Sequence, residues 1–328
     1  MSQVAVLGAG SWGTALALQL ARAGQRVKLW GHRAEHMAQL RADGENRRYL
    51  GGIPFPPNLE PVVDLQSALT GSAFILLVVP SHVFVETLER LRALNVAQPI
   101  FWAIKGFFNG QPLSHSFRER LPHNGFGVIA GPSFAKEVAL GRPTAITVAS
   151  ADENLARTFA ERLHGQNFLC YTTTDLIGVQ IGGAVKNVIA IATGIADGLG
   201  LGANTRAALI TRGLREIRRL NQVLGGQEET LMGLAGLGDL VLTCTDEQSR
   251  NRRFGYQLGL GGSASAAKAL INQVVEGEHT THETWTMAQH YGVHMPITEH
   301  LHRLLTGQWD LQRTLQSLLA RAVKAENQ

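Results

Sequence analysis

A lysine is costly inside an apolar helix, and the run Gly182-Gly183-Ala184-Val185-Lys186-Asn187 places one there. Residues 176–196 are largely apolar over about the length of a bilayer span. Yet a central lysine costs roughly 2.5–3.5 kcal/mol on insertion scales, and no charged flanks set an orientation. The segment is therefore expected to be a helix buried between two domains and not to insert in a membrane. Burial and nearby cations would lower the lysine pKa from about 10.4 toward neutrality. In that range an amine can exchange a proton with an alcohol during hydride transfer. The small residues 182–184 strip side chains from one helix turn, so that a nicotinamide or substrate could approach the backbone. Asn187 could orient the same carbonyl oxygen.

Other segments supply complementary chemistry. Val78-Val79-Pro80-Ser81 ends a strand at the edge where α/β proteins bind ligands, and Trp102-Ala103-Ile104-Lys105-Gly106 does so with a cation suited to a substrate oxygen. Gly131-Pro132-Ser133-Phe134-Ala135 follows a further strand. Leu234-Ala235-Gly236-Leu237-Gly238-Asp239 brings an acid to a glycine-loosened turn, and Ser249-Arg250-Asn251-Arg252-Arg253 offers a fork of cations and amides that fits a phosphate. Cys244 has no activating histidines and no CxxC partner, so it reads as a packed thiol.

These groups need a scaffold, and the first residues provide its signature. Gly8-Ala9-Gly10-Ser11-Trp12-Gly13 lies between an apolar strand-like run and a helix-like run. In that context Gly8 allows the tight turn, Gly10 lets a pyrophosphate reach the backbone, and Gly13 lets helix and strand pack closely. The helix N-terminus then faces the phosphates. The second strand runs into Gly31-His32-Arg33 where an NAD enzyme usually places an acid, and Arg33 with His32 could pair with a 2′-phosphate. NADP(H) is favoured.

Strand candidates at 4–7, 26–30, 73–79, 99–103, 127–129 and 145–148 alternate with helices around 12–22, 34–43, 82–94 and 152–163. From Asp175 onward helical periodicity takes over, through 176–197, 204–224, 228–235, 265–270, 280–291 and 297–306. The expected fold is α/β, an N-terminal Rossmann-type parallel sheet domain over 1–174 followed by an all-α domain over 175–328, with the hydroxyls of Thr172-Thr173-Thr174 capping the next helix. Two domains suit 328 residues. A net charge of +4 without long basic tracts points to anionic small molecules and not to nucleic acid. Two cysteines, Cys170 and Cys244, form no disulfide framework and no metal spacing, so no metal is expected. A first strand almost at Met1 leaves no room for a signal peptide, and a reducing cytoplasm is expected. The amphipathic C-terminal segment with Leu311, Leu315, Leu318, Leu319 and Val323 could dock on its own core or on a second copy as a homodimer.

Several segments together, GAGSWGTALA, VVPSHVF, IKGF, GPSFAKE, the blocks at 178–214 and 233–255, and VVEG, resemble the bacterial NAD(P)-dependent glycerol-3-phosphate dehydrogenases across nearly the whole chain. The resemblance implies reversible reduction of dihydroxyacetone phosphate to sn-glycerol 3-phosphate in the cytoplasm, feeding glycerophospholipid synthesis. It implies NAD(P) contacts at Ser11, Trp12, His32, Arg33, Lys105 and Ala135, with Val274 and Glu276 closing over the cofactor and Arg250 reaching toward it. It makes Lys186 the proton donor and acceptor. It lines the substrate site with Lys105, Gly131, Ser133, Lys186, Asp239, Ser249, Arg250 and Asn251. Ser133 stands where many members carry threonine, and Trp12 where others carry tyrosine or phenylalanine. Two alternatives share much of this pattern: a β-hydroxyacid or phosphogluconate-type dehydrogenase, and a cofactor sensor that has lost turnover.

Overall fold

A computed structural model describes residues 2–271 and 273–319. Among the described residues ten strands run in chain order: β1 (Gln3–Leu7), β2 (Arg26–Trp30), β3 (Leu59–Val62), β4 (Ser72–Leu77), β5 (Ile100–Trp102), β6 (Phe107–Phe108), β7 (Gln111–Pro112), β8 (Phe126–Ala130), β9 (Thr144–Ala149) and β10 (Phe168–Thr173). Eight helices are interspersed with them: α1 (Ser11–Arg22), α2 (Ala34–Asp43), α3 (Arg47–Leu50), α4 (Leu65–Leu69), α5 (Phe84–Ala93), α6 (Leu113–Arg120), α7 (Ala135–Ala139) and α8 (Glu153–Leu163). Among the described residues beyond 175 the elements are helices: α9 (Leu176–Gly198), α10 (Gly202–Val223), α11 (Glu228–Met232), α12 (Asp239–Thr245), α13 (Arg250–Gly259), α14 (Ala264–Ile271), α15 (Glu276–His290), α16 (Pro296–Leu305) and α17 (Leu311–Leu319).

The main sheet has the order β10-β9-β8-β5-β4-β1-β2-β3, while β6 and β7 form a separate hairpin. All its pairings are parallel except β8 with β9. Strand order reverses between β1 and β4, which opens the ligand crevice of a doubly wound sheet at their carboxyl ends. Central strands such as Val4-Ala5-Val6-Leu7 are buried on both faces, as a helix-covered parallel sheet requires. The two edge strands, β3 and β10, were not among the sequence candidates. Pro61 interrupts the first, which the sheet tolerates because β3 is an edge. The second leaves Leu169 and Tyr171 exposed and so lacks a buried-strand pattern.

The expected threonine cap on α9 is corrected: Asp175 caps it, accepting from the Gly178 N–H at 2.8 Å, and Thr173 Oγ1 accepts from the Asp175 N–H. A carboxylate at this position also offsets the positive helix end. Helix α9 is long and apolar enough to span a bilayer, but 94% of its apolar window is buried inside the protein.

Helix α13, which periodicity did not reveal, lies on α9 with backbones in contact. A Cβ on Gly255 would stand 2.0 Å from the Ile191 carbonyl oxygen, and one on Gly194 would stand 2.0 Å from that of Arg252. Only glycine fits there. At the end of α9, Asp197 accepts from Arg252 Nε at 2.9 Å and Arg206 Nε at 3.0 Å, which fixes the register of α13 and α10. The buried Glu216 of α10 accepts from the N–H groups of Ile297 and Thr298, serving the start of α16 where Pro296 supplies no donor. Leu311 of α17 packs on the helical core, and Val323 lies outside the described residues. The two halves share apolar packing: Phe107 belongs to the helical cluster, whereas Leu176, Val179 and Ala235 belong to a sheet cluster.

Candidate active site

Helix α9 presents Lys186 to the seam between sheet and helices with only 2% of its surface exposed. Its Nζ donates to Asp239 Oδ1 and, at 3.0 Å, to Thr243 Oγ1, whose own hydroxyl donates to the Asp239 carbonyl at 2.6 Å. Asp239 Oδ2 lies 3.4 Å from Lys105 Nζ at the end of β5. One buried carboxylate therefore sits between two lysines. Burial lowers the Lys186 pKa to about 7; Asp239 opposes the shift and Lys105 adds to it. The amide nitrogen of Asn187 is buried with no hydrogen-bond partner, a donor left for a ligand atom.

Asp239 reaches this place because a π-helical turn, Leu234–Gly238, precedes α12. The space freed at 182–184 was expected to admit a ligand, but the protein fills it. A Cβ on Gly182 would meet the Ala235 carbonyl oxygen at 2.6 Å, and one on Gly183 would meet Ala130 at 3.2 Å. Gly182 admits the π turn that carries Asp239, and Gly183 lets α9 approach the end of β8. Thr243 is the site residue that sequence reasoning missed. Its signal was its position one turn beyond Asp239, on the same helix face.

The nucleotide end lies at the β1/β4 switch point. Gly8 has φ +127, and a Cβ there would stand 2.3 Å from the Val78 carbonyl oxygen. One on Gly13 would stand 1.8 Å from the Gly8 oxygen, whereas one on Gly10 would meet nothing within 4 Å. Gly10 thus faces open space at the start of α1. That helix has no side-chain cap and no acid in its first turn, which leaves the N–H groups near Ser11, Trp12 and Gly13 for an anion. Trp12 Nε1 is also a buried donor without a partner. The cradle fits a dinucleotide pyrophosphate. His32 and Arg33 are exposed at the end of β2, with Arg33 in the N-cap position of α2.

The remaining expected residues divide. Gly131 has φ +146 and takes a hydrogen bond from Ser133 Oγ on its carbonyl oxygen at 2.9 Å. Ala135 opens α7, and the ring of Pro132 comes within 3.6 Å of a Cβ built on Gly238. Ser249 spends its hydroxyl capping α13, and Asn251 Oδ1 accepts from the Gly277 N–H at 3.0 Å. Of the basic fork, Arg252 is committed to Asp197 and Arg253 is exposed, so the expected fork reduces to Arg250. Arg250 is half-buried at the start of α13 and pairs with no acid among the described residues. Glu276 opens α15, with exposed Val274 just before it. Burial raises the Cys244 thiol to about 12, in keeping with a packed thiol. Among the described residues no three His, Cys, Asp or Glu side chains are grouped to hold a metal ion.

A doubly wound sheet with an open dinucleotide cradle, facing a helix-borne lysine held by a carboxylate, defines the class: a dinucleotide-dependent oxidoreductase with its acid–base group on a helical domain. The family models described as the N-terminus and C-terminus of NAD-dependent glycerol-3-phosphate dehydrogenase match residues 3–156 and 175–316. Relatives named glycerol-3-phosphate dehydrogenase [NAD(P)+] are 50% identical, from Coxiella burnetii over 98% of both chains and from Vibrio cholerae over 99% of this chain and 96% of that one. The crystal structure of the Coxiella burnetii glycerol-3-phosphate dehydrogenase superposes with a TM-score of 0.95 at 49% identity, covering 98% of this chain and 99% of that one. The chain belongs to the NAD-dependent glycerol-3-phosphate dehydrogenase family.

Proposed function

We propose that the chain reduces dihydroxyacetone phosphate reversibly to sn-glycerol 3-phosphate, with Lys186 as the general acid and base. The observation that carries this reading is the buried Lys186, joined to Asp239 and Thr243 and depressed to about 7 beside Lys105. When bound, the reduced nicotinamide supplies the hydride. Protonated Lys186 gives its proton to the developing alkoxide, and Asp239 with Thr243 holds the amine in place. Lys105 stabilises the charge on that oxygen, and the Asn187 amide donates to a substrate oxygen. Arg250 takes the phosphate at the start of α13, where the helix end favours an anion, with Ser249 and Asn251 shaping that turn and Gly131 and Ser133 lining the opposite wall. The cradle from Gly8 to Gly13 holds the pyrophosphate. Lys105, Ala135, Arg250, Val274 and Glu276 complete the cofactor site, and His32 with Arg33 meets a 2′-phosphate.

The division of labour falls at 174/175, between the nucleotide domain 1–174 and the catalytic domain 175–328. We place the enzyme in the cytoplasm, supplying glycerophospholipid synthesis. Absorbance at the nicotinamide band, with dihydroxyacetone phosphate and each cofactor, tests the reading. Turnover should require the phosphorylated ketone. If neither cofactor is oxidised with it, the reading is wrong and the sensor alternative returns.

A further inference from the structure

The hairpin of β6 and β7 begins two residues after Lys105 and has only two residues in each strand. Its tip, Asn109 at φ +51 and Gly110 at φ +65, has the left-handed pair of a type I′ turn. So short a hairpin does not hold its own position. Three attachments to the helical domain do so. Phe107 is fully buried in the helical core. At the exit, the Ser114 N–H donates to Gln180 Oε1 and Gln180 Nε2 donates to Ser114 Oγ, both at 3.0 Å, on the helix that carries Lys186. At the tip, the Gly110 N–H donates to Glu283 Oε2 of α15 at 2.5 Å.

Glu283 is 9% exposed, and among the described residues no lysine or arginine pairs with it; His279 Nε2 lies 3.9 Å from its Oε1. Burying a carboxylate is unfavourable unless it makes a strong bond, and a charge-assisted bond to a backbone N–H is one. The tip is seated tightly, since a Cβ on Gly110 would lie 3.3 Å from Thr286 Cγ2. On the other side of Lys105's neighbour, a Cβ on Gly106 would lie 2.9 Å from that of Ser81. The strand end carrying Lys105 is thus held between Ser81 of the nucleotide domain and Glu283 of the helical one.

We propose that Glu283 is a positioning residue for Lys105, acting through the Gly110 N–H and the hairpin to keep the lysine beside Asp239. The proposal rests on the reading of Lys105 as the group that stabilises the substrate oxygen. Glu283 bonds to the hairpin backbone, and no hydrogen bond or ion pair joins it to Lys186 or Asp239. Its role is to couple the two domains where Lys105 of the nucleotide domain supplies a cation to the helix-borne acid–base pair.

The test is a double-mutant cycle on the full-length enzyme, with kcat, KM for dihydroxyacetone phosphate, and the pH dependence of kcat as readouts. Glu283→Ala should lower kcat/KM by about tenfold or more. Glu283→Gln keeps a carbonyl acceptor and should restore it to within about threefold. In a Lys105→Ala background, adding Glu283→Ala should change kcat/KM by less than about twofold, because the lysine it positions is gone. Glu283→Ala and Lys105→Ala should both move the high-pH loss of kcat upward, since the first displaces and the second removes the Lys105 cation that lowers the Lys186 pKa. If Glu283→Ala does not fold, Glu283→Asp, one methylene short of Gly110, is taken through the same cycle. Full multiplication of the two losses, or a Glu283 loss with an unmoved pH profile, overturns the positioning role and leaves the Lys105 reading intact. An unchanged kcat/KM in Lys105→Ala alone overturns both.

Discussion

Lys186 and Asp239 face each other at 2% and 1% exposure, and the carboxylate's second oxygen points to Lys105 at 3.4 Å. A lone buried ammonium would shed its proton, and a lone buried carboxylate would take one up. Beside this carboxylate and a second cation at the rim, the buried Lys186 amine has a pKa of about 7. On the proposed reading, an amine with that pKa donates in one reaction direction and accepts in the other.

Lys186→Met should lower kcat by roughly 100-fold or more while cofactor binding persists. In wild type the pH dependence should have opposite signs in the two directions. Ketone reduction needs the protonated amine and should fall as pH rises through about 7, whereas alcohol oxidation needs the free amine and should fall as pH drops through it. Near-normal turnover in the methionine variant would assign the proton to another group.

Arg250→Ala tests the phosphate anchor. The variant should show a strongly raised KM for dihydroxyacetone phosphate and weaker discrimination against the unphosphorylated ketone, because a charge-assisted partner is lost. The neighbouring Arg252→Ala should act differently. Arg252 is tied to Asp197, so its loss should appear in thermal stability before it appears in substrate preference. An unchanged preference for the phosphorylated ketone in Arg250→Ala would remove the assignment.

What the sequence revealed depended on how local the signal was. The glycine turn at 8–13 and the isolated Lys186 declare themselves within a few residues, because backbone sterics and burial cost act there. Asp239 was legible as an acid after glycines, but not the reason for the glycines, since Gly182 makes room for Ala235, far away in sequence. The Ser249-to-Arg253 run misled for a related reason: nothing in it shows that Asp197 claims Arg252 or that Ser249 is a cap. Thr243, Glu216 and Glu283 act through partners on other elements or one turn away, and composition does not reveal such pairings. The edge strands β3 and β10 were hidden because one-sided exposure blurs the pattern that marks central strands.

Glu216 gives stability a pH dependence of its own. Burial raises its carboxyl to about 7 even though the Ile297 and Thr298 N–H groups pull the other way. An acid whose pKa is raised on folding contributes stability below its unfolded value, near 4.5, and loses that contribution as pH rises through 7. In urea unfolding, the stability of wild type relative to Glu216→Gln should therefore decrease from pH 5 to pH 8, by roughly 2–3 kcal/mol. A difference that grows with pH would mean that the ionised carboxylate is the form the fold prefers.

Cofactor choice turns on Gly31-His32-Arg33. No acid stands there to take the ribose 2′-OH of NADH by two hydrogen bonds, and a 2′-phosphate meets the Arg33 cation in place of a repelling carboxylate. NADPH should be used at least as well as NADH. Both side chains are exposed, so the contact is screened, and its strength lies toward the modest end for ion pairs. Arg33→Asp should therefore lose about three- to tenfold in kcat/KM for NADPH and change little for NADH. Added salt should weaken NADPH binding more than NADH binding, because only the former includes an exposed pair with the 2′-phosphate. Titration of both cofactors against wild type and variant, at low and high salt, decides it. A wild type strongly selective for NADH, or a cofactor ratio that Arg33→Asp leaves unaltered, would show that the loop after β2 does not read the 2′-phosphate.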